Sequence, residues 1–526
     1  MTANQSSLPP RPNLDQLKRQ AKDLLNSAQR HEPGARTRFR ALPAFASAAD
    51  ETLDRTPLAL HDAQSVIARE YGFDSWNALR EHVEELTLDF DAAVVQFLEA
   101  ATDGRGRSAE RILALHPGIG HANLYTALVL GDAPRVEARL QQDPSLATKP
   151  GGPRGWEPIH YVCYTAMAHD SPLPGRAVGL AAIARRLIAS GVDPNTRFPW
   201  LHHNVRRPVL WGASRMVRAL PLVQTLLDAG ADPNDGVTLP LAASAGDIPV
   251  LEALLAHGAA VDQAWASDGA TSLYAILNWS RTPDGAVWLL EHGADPNAVF
   301  AENGETPLHA VARAWAVPLA QAMVAHGADI SRQRADGRTP YAVAELNGNR
   351  PVADWLLAHG ASPELSEVDR LVAACSRGDR AAADTLLAGN PALRDELTDD
   401  HYIAFHQAAE RGDVHALEVM LACGFDPNRP DPGIGKTVLH SAAMEGWPEA
   451  VRLLLAHGAS VHVRDREFHG QPLIWAAEGS RTQHRQGRDF AAVGKLLLDA
   501  GSPVEWETGA EPAEGLLEIV SAWQRA

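Results

Sequence analysis

The chain has 526 residues, 45% of them hydrophobic and 21% charged, and its 47 Lys or Arg against 65 Asp or Glu give a formal net charge of −18. That length exceeds one compact core and calls for several domains or an elongated stack of units, and the apolar content excludes a wholly disordered chain. The acidic balance works against general nucleic-acid binding, because it repels phosphate backbones.

The first thirteen residues, MTANQSSLPPRPN, lack the charged and then apolar build of a secretory signal, and no long apolar run follows anywhere. The expectation is a cytoplasmic protein without a membrane partner. Residues 1–50 hold eight Lys or Arg against four Asp or Glu, a slightly basic start that leaves −22 for the remainder. An amphipathic helix is expected around LDQLKRQAKDLL at 14–25, and a helix pair within residues 59–86. Residues 1–90 follow no period and read as a separate helical head, with Leu79, Val83 and Leu86 covering the first unit of the stack behind it.

Beyond residue 90 one pattern keeps returning: a leucine-rich stretch, then Gly, a small residue and often Asp-Pro-Asn, as in LLDAGADPN at 226–234 and LLEHGADPN at 289–297. The closing glycines are Gly191, Gly230, Gly258, Gly293, Gly327, Gly360, Gly424, Gly458 and Gly501, most neighbours standing 28 to 35 positions apart. A second half of the pattern reads TPLHAVA at 306–312, TPYAVAE at 339–345 and TVLHSAA at 437–443. Looser copies are EPIHYVC at 157–163, TSLYAIL at 271–277, YIAFHQA at 402–408 and QPLIWAA at 471–477. Thr306 suits a helix N-cap, and Pro307 suits the first turn, where no N–H is needed. The leucines recur every three or four residues, a stripe that only neighbouring units can bury.

Two halves repeating at about 33 residues resemble the ankyrin-repeat family over roughly residues 90–505. The resemblance implies an all-α solenoid of about twelve helix-turn-helix repeats over residues 91–505, with the head at 1–90 before it and a C-terminal capping helix at 506–526 after it. The head is similar to the helical segment that precedes the repeats in many bacterial ankyrin proteins. The implied function is a monomeric scaffold that holds a protein partner on the concave face, with no cofactor and no nucleic acid. An enzyme or a nucleic-acid-associated activity housed in the head or in loop insertions is the alternative.

Insertions break the array at 166–178, 196–206 and 480–489, and insertions in a solenoid map to loops on one face, often the binding face. In this family the loop tips and the exposed side of each first helix line the groove, which places nine candidate contact residues. Trp156 lies at a tip, Tyr161, Trp211 and Trp475 follow the His slot, and Trp279 and Trp315 end first helices. Trp200, His202 and His203 belong to the second insertion, and with Trp156 and Trp211 they should form one patch. The competing role for each ring is filling the space between repeats, since tryptophan is usually well buried.

Other chemical signals fall to the repeat. PDPGIGKT at 430–437 ends like a phosphate loop, but it lacks the first glycine and a preceding strand, and Thr437 is needed as a helix cap. His160, His309 and His440 sit in the Thr-Pro-Leu-His slot, and His257, His292, His326, His359 and His457 precede closing glycines, where they can serve the carbonyl end of a helix. His202 and His203 have no third ligand at metal spacing. Cys163, Cys375 and Cys423 are too scattered for a zinc or redox motif and read as buried thiols. No nucleophile can be paired with a base, so neither catalytic nor metal residues are expected.

Overall fold

A computed structural model of the chain describes residues 8–9, 12–32, 34–42, 58–73, 75–167, 175–199, 206–265, 269–278, 282–482, 487–504 and 520. Apart from Val520, the C-terminal capping helix expected at 506–526 lies outside them. The chain divides into two compact units, residues 1–266 and 267–526, a boundary inside the stretch that reads from sequence as one array.

The first unit opens with the head. Its first helix, Leu14–Gln29, starts where the Asn13 side chain accepts the backbone N–H groups of Asp15 and Gln16, and buries Leu17, Ala21, Leu24 and Ala28 on one face. That face packs against the helices Leu60–Glu70 and Trp76–Thr87 in a core that includes Phe39, Val66, Ile67, Leu79 and Val83. Leu79 and Val83 therefore serve the head's own core. The junction with the first repeat is polar instead, because Glu85 lies on the other side of the same helix. Its carboxylate, 3% exposed, accepts from Ser108 Oγ at 2.9 Å and from Arg111 at 2.9 and 3.1 Å.

Helix pairs follow. Five are in the first unit: Phe90–Thr102 with Gly106–Leu115, Leu124–Leu130 with Ala133–Gln142, Pro158–Cys163 with Gly175–Ala189, Val209–Gly212 with Leu220–Asp228, and Thr238–Ala245 with Ile248–Ala256. Seven are in the second unit, from Ser272–Leu277 with Asp284–Glu291 to Pro472–Thr482 with Phe490–Asp499. Among the described residues these make twelve, in line with the about twelve that the repeat pattern implies. The described residues hold two strands, Arg197–Pro199 and Arg206–Pro208, paired antiparallel in the second insertion. No helix among them is long and apolar enough to cross a membrane.

The motif residues make the joints between repeats. Thr306 caps the helix Pro307–Ala314, and its backbone N–H donates to His309 Nδ1 at 3.1 Å. His309 Nε2 faces the Arg338 carbonyl of the next repeat at 3.1 Å. Thr437 and His440 repeat the arrangement, with Nε2 at 3.2 Å from the Gly470 carbonyl. One register differs from the sequence reading. In the repeat around YIAFHQA the cap is Thr398 with His401, and the helix Asp399–Arg411 runs thirteen residues. Thr398 supplies the cap early, and Asp399 and Asp400 then sit in the first turn, where negative charge is favoured. His406 falls inside that helix, against Ser441 Oγ at 3.1 Å.

At the other end of the pairs, the Nδ1 atoms of His257, His292, His326, His359 and His457 reach the carbonyl four residues back at 2.7 to 3.0 Å. The Asp-Pro-Asn asparagines link each repeat to the next. Asn297 donates to the Gly327 carbonyl at 2.8 Å and accepts from the Asp329 N–H at 2.8 Å. Asn195, Asn234 and Asn428 form the same two bonds with their own neighbours.

Candidate partner-binding site

Within the first unit, a finger at residues 151–156 closes with a bridge between Gly151 and Trp156. The Tyr161 hydroxyl holds it from below, donating to the Gly151 carbonyl at 2.9 Å and accepting the Arg154 N–H at 3.1 Å. Glycine is required at 151 by close approach, since a Cβ there would stand 1.9 Å from the Tyr125 hydroxyl. Arg154 lies 5.6 Å from the Trp156 ring and anchors the finger to the first repeat through Thr102 Oγ1 at 3.1 Å and the Glu99 carbonyl at 3.0 Å.

The rings form a chain. Tyr125 meets Tyr161 at 5.0 Å between centroids, Tyr161 meets Trp156 at 5.4 Å, Trp156 meets Tyr164 at 6.2 Å and Tyr164 meets Trp211 at 5.7 Å. Trp156 and Trp211 are thus joined through Tyr164. Their exposures differ. Tyr161 is 0% exposed and Trp211 7%, so these two rings are the floor of the cluster and have almost no face to offer, a correction to their reading as anchors. Tyr125 and Trp156 are half-buried and form its accessible rim.

The helix that carries Trp211 continues as a π-helical turn, Ala213–Val217, and ends at Arg218 with a φ of +53°. A left-handed non-glycine residue after a π turn is local strain of the kind that collects at functional sites. Beside the cluster stands the ribbon, pairing Arg197 with Pro208, Phe198 with Arg207 and Pro199 with Arg206. Arg207 stacks 5.3 Å from the Trp211 ring. Burial, with some repulsion from Arg206, pushes His160 down to about 4, so that it is neutral near pH 7. Trp200, His202 and His203, expected in this patch, lie outside the described residues, as does Trp279.

The remaining candidates belong to the second unit. Trp315 is half-buried, and its indole N–H donates to the Leu277 carbonyl at 2.8 Å, a bond between consecutive repeats. Trp447 makes the equivalent bond to the Glu410 carbonyl at 3.0 Å. Trp475, also half-buried, donates to Asp465 at 2.9 Å, lies edge-on to Phe468 and has the Lys436 ammonium 5.9 Å from its ring. The phosphate-loop lookalike is a finger of this unit. Lys436 pairs with Glu410 at 3.0 Å, and Thr437 is the helix cap.

The densest charge cluster of the second unit is structural in build. Glu305, 0% exposed, receives Arg313, Arg334 at 2.6 Å and the Tyr274 hydroxyl at 2.7 Å. Burial alone would raise this carboxyl, but Arg313 and its other donors hold it down to about 2. Arg338 closes the network against Asp369 at 2.7 Å and Asp336 at 2.7 Å. Every cation here faces an anion. Among the described residues no three His, Cys, Asp or Glu side chains gather as a metal site would require. Tyr125, Tyr164 and the ribbon arginines were not among the candidates drawn from sequence, although Tyr161 and Tyr164 are spaced three apart, as neighbours on one helix face.

Comparison with known proteins agrees with the repeat architecture. A family model of ankyrin repeats matches residues 280–367, 371–465 and 405–486, all in the second unit. Human ankyrin repeat and SOCS box protein 6 is 40% identical over 75 residues, 14% of this chain and 18% of that protein. Mouse Rabankyrin-5 is 28% identical over 159 residues, 29% of this chain and 14% of that protein. The Arabidopsis thaliana potassium channel AKT2/3 is 36% identical over 66 residues, 12% and 8% of the two chains. The chain thus spans less than a fifth of the length of these relatives. The matched residues, and the capped helix pairs that the same motif residues build there, show that residues 280–486 are made of ankyrin repeats.

Proposed function

We propose that the chain is a protein-binding adaptor that holds a partner on the concave side of its repeats, with the aromatic rim of Trp156 and Tyr125 as one anchor. The observation that carries this reading is the contrast within one ring cluster: Tyr161 and Trp211 are buried, while Trp156 and Tyr125 stay partly open beside a finger that Tyr161 and Arg154 hold rigid. Rigid, partly exposed aromatic rings are where interfaces concentrate binding energy. Trp475 with Lys436 supplies a comparable rim in the second unit. On this reading the adaptor acts as a monomer in the cytoplasm and catalyses nothing.

The test uses the full chain as bait in lysate of the native host, followed by titration of the recovered protein. Trp156→Ala should weaken that complex by about tenfold or more with the melting temperature unchanged. Trp211→Ala should instead destabilise the fold by about 3 kcal/mol, as removal of a buried Trp does. If Trp156→Ala leaves the affinity intact, the rim is not the anchor, and Trp475→Ala is the next variant to titrate. Turnover of a small molecule by the purified chain would overturn the adaptor reading altogether.

A further inference from the structure

In most of the molecule a partly buried arginine has an acid to face. Arg111 meets Glu85 at 2.9 Å, Arg176 meets Glu110 at 2.5 Å, Arg338 meets Asp369 at 2.7 Å and Arg377 meets Glu345 at 2.7 Å. The ribbon beside the aromatic cluster carries one half-buried arginine, Arg207, and two exposed ones, Arg197 and Arg206. Arg197, Arg206 and Arg207 have no carboxylate within ion-pair distance among the described residues. Arg197 bonds only the Asp235 carbonyl, at 3.4 Å, and Arg206 only the Arg197 carbonyl, at 2.8 Å. The Arg207 Nε is buried without a partner, and burial lowers this guanidinium from its ordinary value. The one acid nearby, Asp235, is already occupied by the N–H groups of Val237 and Thr238 and by the Thr238 hydroxyl.

The strand register sorts the three arginines. Side chains alternate across a strand, so Arg207 points to one face of the ribbon, over Trp211, while Arg206 points to the other. Arg206 is opposite Pro199, and Arg197 shares a face with Pro199, two residues along, so Arg197 and Arg206 are diagonal neighbours on one exposed face. Diagonal neighbours in a ribbon stand roughly 7–8 Å apart. An extended chain advances about 3.3 Å per residue, so side chains two residues apart and on one side are separated by about 7 Å. The two spacings match.

We propose that Arg197 and Arg206, on the exposed face of the Arg197–Pro199 and Arg206–Pro208 ribbon, recognise an extended acidic segment of a protein partner whose carboxylates are two residues apart. Arg207, held over Trp211, adds charge from beneath. This deepens the adaptor reading and rests on it, since it names the chemistry of the partner segment that reaches the Trp156 side of the repeats. A short acidic strand fits better than nucleic acid, because a long polyanion would have to lie along a chain whose net charge is −18.

Fluorescence anisotropy on the full chain tests it, with three labelled twelve-residue probes: alternating Glu-Thr, alternating Gln-Thr and oligo-dT. The Glu-Thr peptide should bind, weakening at least tenfold between about 50 and 300 mM salt, and the other two should not. R197Q/R206Q should cost at least tenfold with an unchanged melting temperature, and R197K/R206K should recover only part of it, because lysine keeps the charge without the planar fork. Equal binding by wild type and R197Q/R206Q overturns the proposal, as does failure of the Glu-Thr peptide to bind or tighter binding of oligo-dT. Failure of the adaptor reading is separate. A recovered partner whose affinity falls with Trp156→Ala but not with R197Q/R206Q leaves the adaptor standing and removes only the acidic-segment site.

Discussion

At the scale of single residues the histidines do most to hold the repeats. In the Thr-Pro-Leu-His slot, Nδ1 accepts a backbone N–H while Nε2 faces a carbonyl, and only the neutral ring protonated on Nε2 satisfies both. Burial pushes His309 and His440 down to about 4, against a carbonyl and a carboxylate that raise each of them, and burial with the nearby Lys436 and His440 pushes His406 to about 3. An unfolded histidine takes its proton near pH 6.5, whereas these refuse it until far lower, so the unfolded state binds more protons in between. Stability should therefore be fully present above about pH 6.5 and fall as the pH drops towards 4, as read from urea midpoints across that range. His309→Gln, which can accept and donate at similar positions, should flatten the slope by one proton; an unchanged slope would mean that His309 is not held neutral. The arginines make a second contrast at this scale. Arg313→Met takes one of two guanidinium partners from the buried Glu305 and should cost about 2 kcal/mol, while Arg207→Met removes a cation that makes no ion pair and should not lower the melting temperature. A clear drop for Arg207→Met would show that this guanidinium is needed for the fold.

At the scale of the helix pair, joints matter more than helices. Each pair is short, and isolated helices of seven to ten residues are not stable in water, so the bonds between pairs set cooperativity. Asn297 makes two of them, to the Gly327 carbonyl and the Asp329 N–H. Asn297→Ala should cost about 1–2 kcal/mol in denaturant midpoints without changing partner affinity. Gly458 closes its second helix at a φ of +82° with open space around the missing Cβ, so Gly458→Ala should cost about 1 kcal/mol through backbone strain alone. A Gly458→Asn variant should recover part of that loss, since asparagine tolerates the left-handed region better than alanine does.

At the scale of the whole chain, the second unit carries a core that continues from Leu346 through Leu371, Phe405 and Leu439 to Leu497 without a gap. A chain ended after Gly360 would uncover the stripe that Val368 and Leu371 now cover, including Leu346. Such a truncation should aggregate or oligomerise in size-exclusion chromatography with light scattering, because an internal repeat lacks the polar outer face of a cap. A monomeric, cooperatively unfolding product would mean that the repeats before Gly360 need no cover from those after it.

The fold was legible in the sequence because an array repeats its own instructions: Thr306 with His309 and Asn297 with Gly327 are signals at fixed spacing, and nine closing glycines mark the period. Where one unit departed from the pattern, at Thr398 and His401, a local cap one turn early outweighed the register. The candidate site was legible only in part. Trp156 and Trp211 could be placed at a tip and on a helix, yet which ring stays open depended on Tyr164 and Tyr161 from the same repeat packing beneath them. The meeting of Cys375 and Cys423, buried free thiols that share one core from different repeats, was equally hidden by their sequence separation. Composition likewise reports how many arginines a chain has, but only tertiary structure decides which find a carboxylate. Ion pairing depends on distances of a few ångströms between residues far apart in the chain, and it is that geometry which leaves Arg197, Arg206 and Arg207 with no carboxylate at ion-pair distance among the described residues.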